Sequence, residues 1–411
     1  MARRRVGHKN RSRQLAGAIP ASNATLAGVS GQPTTDRGAA QAAVETEALS
    51  VTHWFDSEPD GEPYAATIRF TGHRIGVRGK PGPRDAFVKT ETVEGVVPGS
   101  GPVSITTWVY GLQPGEWTVT ADLIRAPGRP RARRPSTGGR PAGPHTLPRA
   151  KWSWTRWALS TAPFAPVKTR WGPLVRLVRM PAVIPGTWSG LVGTGVLVGA
   201  TVQAVLLTRA NVPVAPALIV DLLALVSGLV VAKVWYMVMR PGRSWRQSIG
   251  EGWTVDGLLL AAPAVSVAAL IAFDLPIGTF LDASAPGLFF GVAIGRLGCF
   301  FTGCCAGRCT RSRWGVWSSN RRVGARRIPT QLLESGAGLA IGAAATLLVL
   351  SDALGVPGAV FVAAVAVYVF VRQFLLRLRA EPHSRIRAQV TAAAAAAVLV
   401  ADVAVSLIVA G

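Results

Sequence analysis

"VAPALIVDLLALVSGLVVAKVWYMV", residues 214–238, is predominantly apolar and carries just one aspartate and one lysine as charged residues. About 20 helical residues cross the hydrocarbon core of a bilayer, so this stretch reads as a transmembrane helix. Six further runs of the same kind lie around it, at 188–208, 253–273, 284–304, 331–351, 355–377 and 388–410. The expected fold class is therefore a mainly α-helical polytopic membrane protein, with about seven transmembrane helices over 186–411.

The chain has 411 residues, 49% of them hydrophobic, yet carries a formal net charge of +23. Apolar and basic character must then be separated along it, and they are: residues 1–180 are polar and basic, whereas the long apolar runs follow. The N-terminus "MARRRVGHKNRSRQLAGAIP" has no apolar h-region and does not read as a secretory signal peptide. Residues 1–46 lack helical or strand periodicity and are expected to form a disordered basic arm. Arginine clusters alone do not specify nucleic acid, and no nucleic-acid partner is expected.

Short β-prone runs follow over 47–126: "YAATIRF", "RIGVR", "FVKTETVEGVV", "VSITTWVYGL" and "EWTVTADLI", separated by Gly/Pro turns. This spacing reads as a small β-sandwich. Within it, "YGLQPGEWTVTA" resembles the turn and strand of fibronectin type III or immunoglobulin-like modules. Trp108 and Trp117 are expected as core or sheet-surface aromatics. Residues 127–185 read as a Pro/Gly/Arg linker followed by an interfacial segment, in which Trp152, Trp154, Trp157 and Trp171 alternate with cations at the headgroup level.

Ionisable groups within membrane helices are costly and mark candidate functional sites. Here they are Asp221, Lys233, Asp256, Arg296, Glu334, Arg372 and Asp402. Together they suggest a polar cavity inside the bundle. The guanidinium forks of Arg296 and Arg372 suit phosphate oxygens, which makes an anionic lipid headgroup the natural ligand.

"GRLGCFFTGCCAGR", residues 295–308, resembles the signature of bacterial prolipoprotein diacylglyceryl transferases. That signature runs Gly-Arg-x-Gly-Asn-Phe to Asn-Gly-Glu and a Gly-Arg. Other segments agree in order. "VDLLALVSGLVVAKVWYMV" is similar to the family's Asp-Leu-Leu followed by Gly-Ala-Arg and Tyr, "WGV" follows the signature, and "IPTQLLE" resembles His-Pro-Ser/Thr-Gln-Leu-Tyr-Glu. "YVFVRQFLLRLR" resembles a Tyr-x-x-x-Arg helix with a later arginine.

The resemblance implies seven spans in the cytoplasmic membrane. It also implies transfer of diacylglyceryl from phosphatidylglycerol to the lipobox cysteine of prolipoproteins, with membrane lipids as the surroundings. It places Arg296 and Arg372 in catalysis. It places Gly298, Gly307, Arg308, Lys233, Asp221, Gln331, Glu334, Tyr368, Cys299 and Cys304 at substrate-binding positions.

Departures from the family pattern are equally specific. Cys299 stands at the signature asparagine, Cys304 at the glutamate of Asn-Gly-Glu, Val255 at one histidine and Ile328 at another. Trp188 and Ser189 stand where the family has a tyrosine. These changes remove the residues usually credited with acid/base work, and Asp256 is the remaining candidate base. The four cysteines, Cys299, Cys304, Cys305 and Cys309, fit a metal site, a disulfide or packing. Their C-x4-C-C-x3-C spacing is not a usual zinc pattern, so no metal and no cofactor are expected.

Loop charges leave orientation open. The basic loops at 239–252, 305–330 and 377–387 and the acidic ones at 274–283 and 351–356 would place the signature loop in the cytoplasm. The family resemblance places it outside. The alternative function is a non-catalytic scaffold that binds anionic lipid and displays the sandwich to a partner; a transporter would need inverted repeats, which the sequence does not show.

Overall fold

The computed structural model describes residues 48–113, 115–124, 142–146, 157–160, 181–184, 186–239, 254–351, 354–381 and 384–410. The expected basic arm lies outside them. So do the interfacial tryptophans other than Trp157.

Seven strands come first: β1 (Ala48–Asp56), β2 (Tyr64–Arg74), β3 (Ala86–Val96), β4 (Pro102–Tyr110), β5 (Glu116–Ile124), β6 (Ala142–Thr146) and β7 (Trp157–Ser160). Four helices follow, α1 (Thr187–Arg209), α2 (Val214–Val238), α3 (Val255–Ala272) and α4 (Ile277–Thr302). A hairpin of β8 (Val316–Ser319) and β9 (Val323–Arg327) then leads into α5 (Thr330–Ser351), α6 (Ala359–Arg377) and α7 (Arg385–Ala410). Six of the helices are long and apolar enough to cross a membrane, and α3 is shorter at 18 residues. This is a multi-pass membrane protein preceded by a small β domain.

The β domain packs two sheets face to face, in the orders β7-β1-β4-β9-β8 and β3-β2-β5-β6. Alternate residues of β2, Ala66, Ile68 and Phe70, point inward as the period of a strand requires. They meet Leu49, Val51, Val103, Ile105 and Val119. Trp117 is wholly buried there, its Nε1 donating to Gln113 O at 3.1 Å, while Trp108 is half-buried. The expected strand "RIGVR" does not form: β2 ends at Arg74, and Gly76 and Gly79 adopt left-handed backbone that breaks the pleat. Strands β6 and β7 come from the 127–185 stretch and lie on sheet edges, β7 pairing parallel with β1.

Two strands of the first sheet belong to the membrane domain. Strand β9 pairs with β4 through Ser104↔Gly324 and Ile105↔Val323 on one side, and with β8 on the other. Ala325 enters the sandwich core. Trp317 stacks on Trp54 with ring centroids 5.1 Å apart and donates to Pro102 O at 2.9 Å. Glu91 pairs with Arg322 and accepts from Thr107 Oγ1 at 2.8 Å. The sandwich is thus continuous with the hairpin that follows the signature.

In the bundle, α1 packs along α4, α4 along α5, α5 on α6 and α6 on α7, while α2 and α3 pack chiefly on each other and join α1 and α4 in a shared cluster of Leu207, Val220, Leu270 and Phe280. The α1–α4 contact uses small residues. A Cβ on Gly195 would lie 2.8 Å from Gly291 O, and one on Gly287 would lie 2.4 Å from Gly199 O, so these backbones nearly touch. Helix α4 starts at residue 277, not at 284 as the hydropathy suggested. Asp282 hid its first two turns. Its carboxylate accepts Gly358 N at 2.6 Å and Phe361 N at 3.0 Å, satisfying free donors at the start of α6.

Antiparallel neighbours put the start of α1, the end of α4, the start of α5 and the end of α6 at one end of the bundle. Ile184 N bonds Phe301 O at 2.9 Å, and Gly307 bridges to Arg379. The sandwich sits at that same end, because β9 enters α5 within three residues.

Candidate active site

Helix α4 carries Arg296 one turn before Cys299, α5 carries Gln331 and Glu334 on its first turns, and α6 carries Tyr368 and Arg372 one turn apart. The packing of α4, α5 and α6 brings them together around Glu334. Its side chain is 1% exposed. Arg296 Nε lies 2.7 Å from Oε2, Arg379 Nη2 lies 2.7 Å from Oε1, and Arg372 Nη1 lies 3.7 Å from Oε1. Arg372 Nη1 also donates to Tyr368 OH at 3.4 Å, and the Tyr368 ring packs on Phe289.

One carboxylate cannot neutralise three guanidinium groups. Excess positive charge at a partly open position is what a phosphate group would balance. Arg372, at 31% side-chain exposure, is the most open of the three; Arg296 is at 18% and Arg379 at 6%.

The signature turn is fixed from α5. Gly303 turns the chain out of α4 in the left-handed conformation, and a Cβ there would lie 2.4 Å from Ser319 O. Gln331 Nε2 donates to Cys304 O at 2.8 Å, and Thr330 Oγ1 to Cys305 O at 3.1 Å. Arg308 Nε donates to Arg379 O at 3.1 Å, which ties the turn to the end of α6. Cys304 Sγ lies 3.7 Å from Cys299 O.

Gly298 and Gly307 provide close approach. A Cβ on Gly298 would lie 3.0 Å from the Trp188 Cα, and one on Gly307 would lie 2.0 Å from Ile328 O. Their packing role is visible; a contact to substrate is not needed to explain them.

Asp221 is not brought to this cluster. It faces Gln203, whose Nε2 donates to Ser284 Oγ at 2.8 Å. Ser284 precedes Arg296 by twelve residues on α4, about 18 Å along the axis at 1.5 Å per residue. Lys233 lies on α2 with its Nζ 5.6 Å from the centre of the Tyr236 ring. Asp256 falls in the first turn of α3, and its side chain lies outside the described residues.

Arg379 is the residue that sequence reading missed. It lies two residues past the end of α6, and only the "later arginine" of "YVFVRQFLLRLR" signalled it.

A model of the prolipoprotein diacylglyceryl transferase family matches residues 179–410. The chain belongs to this family. Among similar proteins, phosphatidylglycerol–prolipoprotein diacylglyceryl transferases of two strains of Dehalococcoides mccartyi are each 29% identical over 136 residues, covering 30% of this chain and 51% of theirs. The corresponding protein of a third strain is 29% identical over 124 residues, covering 28% and 46%. The chain spans about half the length of the curated relatives it matches. The transferase family match begins after the sandwich strands β1–β7 and includes the β8–β9 hairpin on which the sandwich rests.

Proposed function

We propose that this protein transfers the diacylglyceryl group of phosphatidylglycerol to the lipobox cysteine of prolipoproteins in the cytoplasmic membrane. The observation that carries this reading is the convergence of Arg296, Arg372 and Arg379 on the single buried carboxylate of Glu334. In this reaction the cysteine thiolate attacks the glyceryl carbon next to the phosphate. A C–S bond forms, the C–O bond breaks, and glycerol phosphate departs with the electron pair.

Arg296 and Arg372 hold the phosphate and stabilise the charge that develops on the leaving oxygen. Glu334 keeps the guanidinium groups aligned, with Tyr368 orienting Arg372. Gln331 and Arg308 hold the signature turn in place beside them. Lys233, on α2, is assigned to the lipid headgroup. Asp256 is the candidate base and Asp221 a polar contact deeper in the bundle; Asp256→Asn with unchanged transfer dismisses the first.

The test incubates purified full-length protein in detergent with phosphatidylglycerol and a lipobox peptide, with mass spectrometry of the peptide. A diacylglyceryl adduct is expected, falling about 10²–10³-fold in Arg296→Ala, as loss of a preorganised donor does. Lipid binding without any adduct would replace the enzyme by an anionic-lipid-binding scaffold.

A further inference from the structure

The Sγ atoms of Cys299, Cys304 and Cys305 all lie within 4.8 Å of one another. The linear spacing hides this closeness. Cys299 is in the last turn of α4, Gly303 reverses the chain, and Cys304 and Cys305 return over the helix end. All three are free thiols, Cys299 buried and the others half-buried. Among the described residues no other His, Cys, Asp or Glu ligand atom joins the group. The fourth cysteine, Cys309, packs instead against the sandwich core.

Three thiolates around Zn²⁺ at about 2.3 Å each would stand about 4 Å apart, close to the separations of at most 4.8 Å found here. The turn that carries them is already fixed, since Gln331 and Thr330 bind the carbonyls of Cys304 and Cys305. Three thiolates and one Zn²⁺ carry a net charge of −1. Arg296, one turn back on α4, adjoins that charge from an arginine cluster that Glu334 alone leaves in excess. Soft sulfur ligands select such a metal, and three protein ligands leave its fourth tetrahedral position open.

We propose that Cys299, Cys304 and Cys305 form a zinc site whose open position binds the thiol of the incoming lipobox cysteine as a thiolate. The role, though not the metal site itself, rests on the transferase function proposed above. Coordination releases the thiol proton to solvent, because a coordinated thiol is deprotonated outright. The bound sulfur then attacks the glyceryl carbon, the C–O bond to phosphate breaks, and the product thioether, a weaker donor, leaves the zinc. No oxidant or reductant is consumed. Such a site supplies the thiolate that the family's histidines, here Val255 and Ile328, no longer assist. A free thiol with a pKa of about 8.5 is only about 3% thiolate at pH 7, so full deprotonation raises the reactive fraction about 30-fold.

The experiment uses full-length protein in detergent, reduced and stripped with a chelator, then titrated with Zn²⁺ or Co²⁺ alone. One metal per chain is expected, with sulfur-to-cobalt charge-transfer absorption and three sulfur neighbours by X-ray absorption. Cys304→Ser and Cys305→Ser lose this signal, and Cys309→Ser keeps it. Adding the lipobox peptide brings a fourth sulfur, and its Cys→Ser version does not. In the transfer assay, stripping the metal lowers the rate at pH 7 about 10–30-fold, and Zn²⁺ restores it. The metal-loaded rate is nearly flat between about pH 6 and 8, where the stripped rate rises about tenfold per pH unit.

Absence of stoichiometric metal, a disulfide among the three cysteines, or metal retained in Cys304→Ser overturns the site. Transfer indifferent to metal removal overturns the role while leaving the transferase function standing. A fourth sulfur without any lipid adduct supports the thiol site and overturns the transferase function.

Discussion

Arg379 Nη2 lies 2.7 Å from Glu334 Oε1, linking the end of α6 to the first turns of α5 through a pair that is almost fully buried. Glu334→Gln leaves the guanidinium groups around an uncharged amide, and breaking a buried ion pair in this way costs about 3–5 kcal/mol, so it is expected to lower the thermal midpoint of the detergent-solubilised protein markedly. Arg379→Ala leaves Glu334 its 2.7 Å pair with Arg296 and should lower the midpoint less, through loss of the buried link to the end of α6. Arg372→Ala should lower it much less, since Arg372 is more exposed and 3.7 Å from the carboxylate. Differential scanning fluorimetry of the three variants checks the order; equal shifts in Arg379→Ala and Arg372→Ala would mean that the buried 2.7 Å contact adds nothing over the more open 3.7 Å one.

The α1–α4 contact predicts a steric threshold. Gly287→Val pushes a branched side chain into Gly199 O, 2.4 Å from where its Cβ would sit, and should separate the helices and sharply reduce folded protein. Gly190→Ala and Gly336→Ala meet no atom within 4 Å and should be silent. Size-exclusion profiles and expression yield in membranes distinguish these outcomes.

The shared sheet predicts that the sandwich can be loosened from the membrane domain. Trp317→Ala removes the stack on Trp54 and the bond to Pro102 O, a loss of about 2 kcal/mol. Gly324→Val goes further, because its side chain would meet Ser104 Oγ and the Trp317 ring. Limited proteolysis of the full chain should show faster cleavage before α1 in both, fastest in Gly324→Val. Unchanged protection would mean that the β4–β9 pairing does not hold the two parts together.

His53 predicts an acid sensitivity of the sandwich. It is 4% exposed between Phe55 and Phe70, and burial pushes its pKa down to about 4, with Asp122 opposing the shift. The unfolded state then binds a proton that the folded state refuses. The stability is fully present above about pH 6.5 and is lost as pH falls from there toward 4, by on the order of 3 kcal/mol. Hydrogen exchange of β1 and β4 amides in the intact protein should accelerate over that window. His53→Phe should flatten the dependence, and an unaltered profile would refute this source.

Within the membrane domain, the helices were legible because hydropathy over about 20 residues is a local property: α2 spans 214–238 as its composition requires. Misjudged boundaries had tertiary causes. Asp282 reads as an interruption until α6 is placed beside it, and "RIGVR" has strand composition but a glycine, Gly76, that adopts left-handed backbone. The signature was legible as a motif, yet its glycines turned out to be explained by helix and loop packing.

Composition and pattern alone determined that this chain crosses a membrane, carries a β module before it, and holds arginines within its apolar runs. Those are statements about single segments. Only the tertiary structure decided that Arg379 belongs with Glu334, that Asp221 does not, that three cysteines at uneven spacing lie within 4.8 Å of one another, and that the sandwich sheet is completed by a hairpin more than 200 residues later. Each of these depends on contacts between distant segments, set by close helix packing, buried charge pairing and strand register, and none of those is encoded in any one stretch.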